Sequence, residues 1–140
     1  MVVKSGCVFC EIVAGADSRT LVVENELAVA FMDIDPVTPG HVLVIPRSHS
    51  VDLFDIGSED LAACTQLARV VARRAKNRLD ADGVNLLNCS GEAAWQSVFH
   101  FHLHVIVRFS DEPEKDRIGL PWESVPSTLE EIERIANLLR

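Results

Sequence analysis

The stretch Gln96-Ser97-Val98-Phe99-His100-Phe101-His102-Leu103-His104-Val105-Ile106-Val107-Arg108 decides how the chain is read. Three histidines alternate with apolar residues and an apolar run follows, a period of two that predicts a β-strand. Alternate side chains of a strand share a face, at steps of roughly 6.6–6.8 Å. His100, His102 and His104 are therefore expected on one face, with Phe101, Leu103 and Val105 pointing into a core. Packing alone does not explain an imidazole at every second position. Imidazole titrates near neutrality, and its neutral form offers a lone pair to a metal or an electrophile.

The rest of the composition sets bounds. The chain has 140 residues, 48% hydrophobic and 24% charged, which suits one globular domain with a real core. Lys and Arg number 13 against 21 for Asp and Glu, a net charge of −8. This balance argues against a nucleic-acid backbone binder, while leaving room for a local basic pocket. No apolar run approaches about 18–20 residues, so no membrane-spanning helix is expected. The segment Met1–Cys7 lacks the charged and apolar regions of a signal peptide, and a cytoplasmic protein is the expectation. In a reducing compartment Cys64 and Cys89 read as small buried hydrophobes. Cys7-Val8-Phe9-Cys10 differs. It is a redox motif, half of a metal site, or chance, and the redox reading lacks the preceding strand that it needs.

Along the chain, a short helical segment is expected from Glu11 to Ala14. A β-hairpin follows over Thr20–Glu24 and Leu27–Met32, split by Asn25-Glu26. Asp33–Gly40 is a loop punctuated by Pro36, Pro39 and Gly40, and His41–Pro46 is a third strand. Ser58 to about Leu79 is a helix, with Ser58 as its cap and Leu61, Cys64, Leu67, Ala68, Val71, Ala72 and Ala75 as its apolar stripe. Its basic row (Arg69, Arg73, Arg74, Lys76, Arg78) reads as a solvated face rather than a nucleic-acid surface. Val84–Cys89 is a fourth strand and the histidine stretch a fifth. Ser127-Thr128-Leu129-Glu130 is a capping box opening a C-terminal helix to Leu139. The class is α+β, a five-stranded, mostly antiparallel sheet with two main helices.

Two chemistries compete for the histidines. Strand histidines bind a catalytic metal in some hydrolases, but a metal-bound water usually works beside a carboxylate base, and none sits in this strand. Alternatively, a neutral imidazole attacks phosphorus and splits one displacement into two, which needs an oriented nitrogen, donors for the phosphate oxygens and an acid for the leaving group. His102, flanked by His104 with His41 and Ser97 nearby, supplies these parts without metal.

The run His100–Val107 resembles the signature of the histidine triad family. It does not stand alone. Asp33-Ile34-Asp35-Pro36-Val37-Thr38-Pro39-Gly40-His41-Val42-Leu43-Val44-Ile45-Pro46 is similar to the family's segment before its third strand, and Asn88, Ser90-Gly91 and Gln96-Ser97 also match. The likeness runs from about Cys7 to Arg108, within a core of about 7–109 and ahead of a C-terminal extension of about 110–140. Its nearest branch looks like the nucleotide-binding phosphoramidases. The resemblance implies a purine nucleoside phosphoramidase in which His102 attacks the α-phosphate and forms a nucleotidyl-histidine. His104 contacts the phosphate and His41 orients the triad. Gln96 and Ser97 supply phosphate donors, and Asp33 accepts the ribose hydroxyls. Phe9, Phe31 and Ile34 wall the base pocket, and Asn88 donates near the phosphate or sugar. Against these roles stand ordinary core packing for Phe9 and Phe31 and a loop cap for Asp33.

The resemblance also implies a structural zinc held by Cys7, Cys10, His49 and His100, which takes His100 out of the catalytic trio. It implies a homodimer in which two sheets join and the long helices pack together. Trp95 lies where many relatives carry a smaller residue. It stacks on or narrows the leaving-group side, or is a surface or interface aromatic. The rival functions are a dinucleoside polyphosphate hydrolase and a non-enzymatic nucleotide- or zinc-binding module.

Overall fold

The computed structural model describes residues 1–140. Its centre is a five-stranded sheet of β1 (Leu21–Glu24), β2 (Ala28–Met32), β3 (Val42–Pro46), β4 (Gly83–Leu87) and β5 (Leu103–Arg108), in the order β1-β2-β3-β5-β4. Every neighbouring pair is antiparallel. The helices are α1 (Val8–Val13), α2 (Ser58–Arg78) and α3 (Leu129–Leu139).

β2 and β3 are buried nearly throughout because the sheet is covered on both faces. On one face Ala28, Ala30, Val42, Val44, Phe101, Leu103 and Val105 pack against Cys64, Leu67, Ala68 and Val71 of α2. On the other, Phe9 of α1 packs with Val29, Phe31, Leu43 and Ile45. A run of apolar residues without alternation is what burial on two faces demands.

Gly40 sets the entry to β3. It holds a left-handed φ of +89°, and a Cβ there would meet Leu79 Cδ1 at 2.8 Å and Val107 Cγ2 at 3.1 Å. Only glycine satisfies both conditions. The loop can then lie against the end of α2 and deliver His41 to the sheet. Thr38, buried in the same loop, donates its hydroxyl to Val107 O at 2.6 Å.

Several expectations need correction. Regular β5 begins at Leu103, so His100 and His102 lie in an extended lead-in where Phe101 N–H pairs with Ser50 O at 2.7 Å. The faces still alternate: Phe101, Leu103 and Val105 enter the core under α2. α2 is capped by Gly57 and not by Ser58, which is its first residue, with no side-chain cap bond. The C-terminal capping box sits one residue later than the Ser127–Glu130 pattern suggests. Thr128 is the cap, and its hydroxyl accepts from Glu131 N–H at 3.2 Å. α1 starts three residues earlier than predicted.

The segment after β5 is tied down by Asp116. Its carboxylate accepts from Arg108 Nε at 2.8 Å and from the Phe109 amide at 2.9 Å, and Arg108 holds it well below the usual carboxylate range, at about 2. Beyond it, α3 buries no residue. No helix is long and apolar enough to cross a membrane.

Candidate functional site

Two histidine clusters meet at the entrance to β5. The first is built on His102 and His104. A cavity of about 490 Å³ opens beside them. It is lined by α1 and the turn after it (Phe9, Glu11, Asp17), by the end of β2 (Phe31, Asp33, Ile34, Asp35), and by Ser97. Phe9 and Phe31 meet edge to face at 5.5 Å, and Phe9 also lies 5.2 Å from the His102 ring. They are core residues on one side and cavity wall on the other. Ile34 lines the same cavity from an exposed position.

Backbone groups fix the ring nitrogens. His102 Nδ1 donates to the main-chain carbonyl of His100 at 2.8 Å, which leaves its Nε2 with a free lone pair. The His102 carbonyl in turn accepts from Asn88 Nδ2 at 3.0 Å, and Ser90 Oγ donates to Asn88 Oδ1 at 2.7 Å. On the neighbouring strand, the Val37 N–H donates to His41 Nδ1 at 3.2 Å. His41 must then carry its proton on Nε2, from which it donates to His104 Nδ1 at 2.9 Å. His104 keeps its own proton on Nε2. One main-chain amide thus orders two imidazoles.

Burial pushes the basicity of all three imidazoles down. His104 falls to about 4, through burial first and then its neighbours His102 and His41. His102 and His41 are also lowered by burial, with Asp33 opposing in both. Around neutral pH the cluster is uncharged, as an attacking nitrogen requires. Asp33 serves twice. Its Oδ1 accepts from Asp35 N–H at 2.8 Å as a loop cap, and its Oδ2 lies 3.6 Å from His41 Nε2 at the cavity.

Two expected substrate contacts sit elsewhere. Gln96 is buried and fully engaged: Oε1 accepts from Gly91 N–H at 2.8 Å, and Nε2 donates to Val51 O at 2.7 Å and Val98 O at 3.2 Å. Asn88 spends one of its two N–H groups on the His102 carbonyl. Neither lines the cavity. Gln96 supports the loop carrying Ser97 and, with both N–H groups engaged, has no donor left for a ligand, while Asn88 supports His102. Ser97 is exposed at the cavity, as expected. Trp95 is 64% exposed and holds a left-handed φ of +70°, rare for a bulky residue.

The second cluster brings together Cys7, Cys10, His49 and His100. His49 and His100 Nδ1 atoms lie 3.2 Å apart. Sulfur-to-nitrogen distances are 3.4 Å for Cys7–His100, 3.5 Å for Cys10–His49 and 3.7 Å for Cys10–His100. A tetrahedral ion with Zn–N of about 2.0–2.1 Å and Zn–S of about 2.3 Å places nitrogens about 3.3 Å apart and sulfur about 3.6 Å from nitrogen. These four distances lie close to those values, and all four ligand atoms fall within 4.8 Å of one another. His100 Nε2 donates to Pro46 O at 2.9 Å, which turns the Nδ1 lone pair toward the thiols. Burial lowers His100 to about 4 and raises the Cys10 thiol, so a thiolate there calls for a cation.

Asp33, His41 and His104 also gather three ligand atoms, but they do not fit a metal. His41 Nε2 bears the proton that Val37 N–H dictates, and freeing it would set two N–H groups against each other.

The HIT domain family matches residues 15–111. The chain belongs to the histidine triad (HIT) family. A crystallised HIT family protein from Bacillus anthracis is 38% identical, with a TM-score of 0.86 over 96% of this chain and 95% of its own. A Zn-bound HIT protein from Mycobacterium smegmatis is 38% identical, with a TM-score of 0.73 over 95% of each chain. The adenosine 5'-monophosphoramidase hnt1 of Schizosaccharomyces pombe is 33% identical across 92% of both chains. Cys7 and Cys10 lie ahead of the family match. The folded chain brings them to His49 and His100, the partners that the resemblance implies.

Proposed function

We propose that this HIT protein is a hydrolase of purine nucleoside phosphoramidates, AMP–amine conjugates being the model substrates. The observation that carries the reading is the His102 ring, neutral, with Nδ1–H pinned to a carbonyl and Nε2 free beside the cavity. His102 Nε2 attacks the α-phosphorus and the P–N bond to the amine breaks. The exposed Ser97 hydroxyl passes a proton to the departing nitrogen. The positive charge that develops on the imidazole is stabilised through Nδ1–H by the His100 carbonyl. Water then cleaves the P–N bond to His102 and its proton returns to Ser97, releasing AMP and restoring the lone pair. The net change is conjugate plus water to amine plus AMP. His104 contacts the phosphate and Asp33 the ribose, while Phe9, Phe31 and Ile34 hold the base.

The polyphosphate alternative is disfavoured by the lining of the cavity. It contains Glu11, Asp17, Asp33 and Asp35 and no Lys or Arg. One phosphate charge can be met by uncharged donors, but a polyphosphate chain calls for cations. The ordered imidazole relay argues against a module that only binds. Two further features belong to the reading. A structural zinc sits on Cys7, Cys10, His49 and His100. A cytoplasmic homodimer joins two copies about the edge strand β4, where Leu86 is exposed, and about α2. The core is about 7–109, the extension about 110–140.

The test is a substrate panel of AMP-amide, AMP-lysine, diadenosine triphosphate and diadenosine tetraphosphate, run on wild type and His102→Ala. The amides should be preferred at least about tenfold in kcat/KM, with His102→Ala inactive yet still binding AMP. Preference for the polyphosphates, or a retained rate in the variant, would sink the proposal.

A further inference from the structure

We infer that the metal cluster and the nucleotide cavity are thermodynamically linked through α1, so that each ligand strengthens the binding of the other. The inference rests on the nucleotide and zinc readings above and goes beyond them.

α1 is one wall of the cavity, contributing Val8, Phe9, Glu11 and Ile12. It also carries two metal ligands at its start, with Cys7 at its cap position and Cys10 as its third residue. Beyond these ligands it is held by apolar packing of Phe9, with half-buried Ile12 and Val13, on the sheet. The helix has six residues, no side-chain cap, and only Phe9 and Cys10 buried. One of these two is cavity wall and the other is a cluster thiol. The segment ahead of it is tied to the same place: Lys4 N–H points at Cys10 Sγ at 3.5 Å, and His49 N–H donates to Val2 O at 2.7 Å. A helix this short does not stand alone in water, so its position depends on those attachments.

His100 makes a second connection. Its side chain offers Nδ1 to the cluster, while its carbonyl holds the His102 proton. Phe9 touches both rings, at 5.9 Å from His100 and 5.2 Å from His102. With the four ligands gathered on one ion, α1 and the His100 main chain are held where the cavity needs them. Without it, the ordering of α1 must be supplied by nucleotide binding and weakens it. Linkage is reciprocal, so nucleotide must retain the metal by the same factor that metal raises nucleotide affinity. Cys7 and Cys10 are positioning residues on this account, acting through α1.

The experiment measures AMP affinity by calorimetry on zinc-loaded and chelator-stripped full-length protein, with circular dichroism to follow the fold. In parallel, the transfer of zinc from loaded protein to a chromophoric chelator is timed with and without saturating AMP. Stripping should weaken AMP about tenfold, and AMP should tighten zinc retention by a matching factor. Cys7→Ser separates coupling from simple stability, because it removes a cluster thiol that does not line the cavity. With the fold retained by circular dichroism, its AMP affinity should fall to that of stripped wild type and stay there when zinc is added. If the stripped protein unfolds, the release measurement on loaded protein decides alone. Equal AMP affinity in loaded and stripped folded protein, or zinc release indifferent to AMP, overturns the linkage while leaving the nucleotide reading intact. AMP affinity in Cys7→Ser equal to that of zinc-loaded wild type overturns α1 as its route. Absence of AMP binding to loaded wild type overturns the nucleotide reading, and the linkage with it.

Discussion

His100 and His102 are two residues apart on one face of one lead-in, yet they present opposite ring nitrogens. His100 gives its Nε2 proton to Pro46 O and turns Nδ1 to two cysteines. His102 gives its Nδ1 proton to His100 O and keeps Nε2 free beside the cavity. The side chains are identical, and the carbonyl that each ring reaches turns one free nitrogen to the cysteines and leaves the other beside the cavity. Tautomer choice is a property of the backbone around a histidine.

The contrast can be broken by exchange. His102→Ala should lower turnover of AMP-amide by about 10⁴-fold or more, with zinc content by metal analysis unchanged. His100→Ala should do the reverse at the level of metal, dropping zinc to a small fraction of stoichiometric, because a tetrahedral site loses a quarter of its ligands. Loss of zinc in the first variant, or full retention in the second, would mean that the two histidines do not divide the work.

Acid titration sharpens the same contrast. His104 at about 4 and the lowered His41 are depressed by burial, so the neutral forms persist below the ordinary histidine range. The stability that these groups contribute is present above about 6.5 and is lost as pH falls toward 4. The acid limb of kcat/KM for AMP-amide should therefore lie below pH 6.5. A midpoint at or above that value would mean that the imidazoles are solvated.

Two smaller effects test how each cluster is held. Gly40→Ala should cost roughly 2 kcal/mol in denaturant unfolding, since it combines a left-handed φ with contact against Leu79 and Val107, and it should slow turnover by displacing His41. Thr128→Ala should cost about 1 kcal/mol of α3 stability, read as local helicity, and leave zinc and turnover alone.

Much of this was legible in the chain. The alternation through His104 marked a strand and its faces, and the apolar runs Leu27–Met32 and His41–Pro46 marked two more strands, whose burial on both sides only the folded chain shows. Motif resemblance paired Cys7 and Cys10 with His49 and His100, which spacing could not do. What stayed hidden was hydrogen-bond assignment. Gln96 and Asn88 look like donors to a ligand because amides are donors. Only the folded chain reveals that the Val51 and Val98 carbonyls take both donors of Gln96 and that the His102 carbonyl takes one of the two on Asn88. The role of the Val37 N–H left no mark at all, because every residue but proline has one. Cap positions slipped by one residue, as at Gly57 and Thr128, since adjacent small polar residues compete for the same place.

The carboxylate lining of the cavity has a kinetic consequence. A chain of net charge −8 whose site carries Glu11, Asp17, Asp33 and Asp35 repels an anionic conjugate during diffusional approach. Added salt screens that repulsion, the Debye length being about 8 Å at 0.15 M. For an anionic conjugate kcat/KM should rise with ionic strength. For a conjugate made net cationic by a polyamine leaving group the same field attracts, and the slope should change sign.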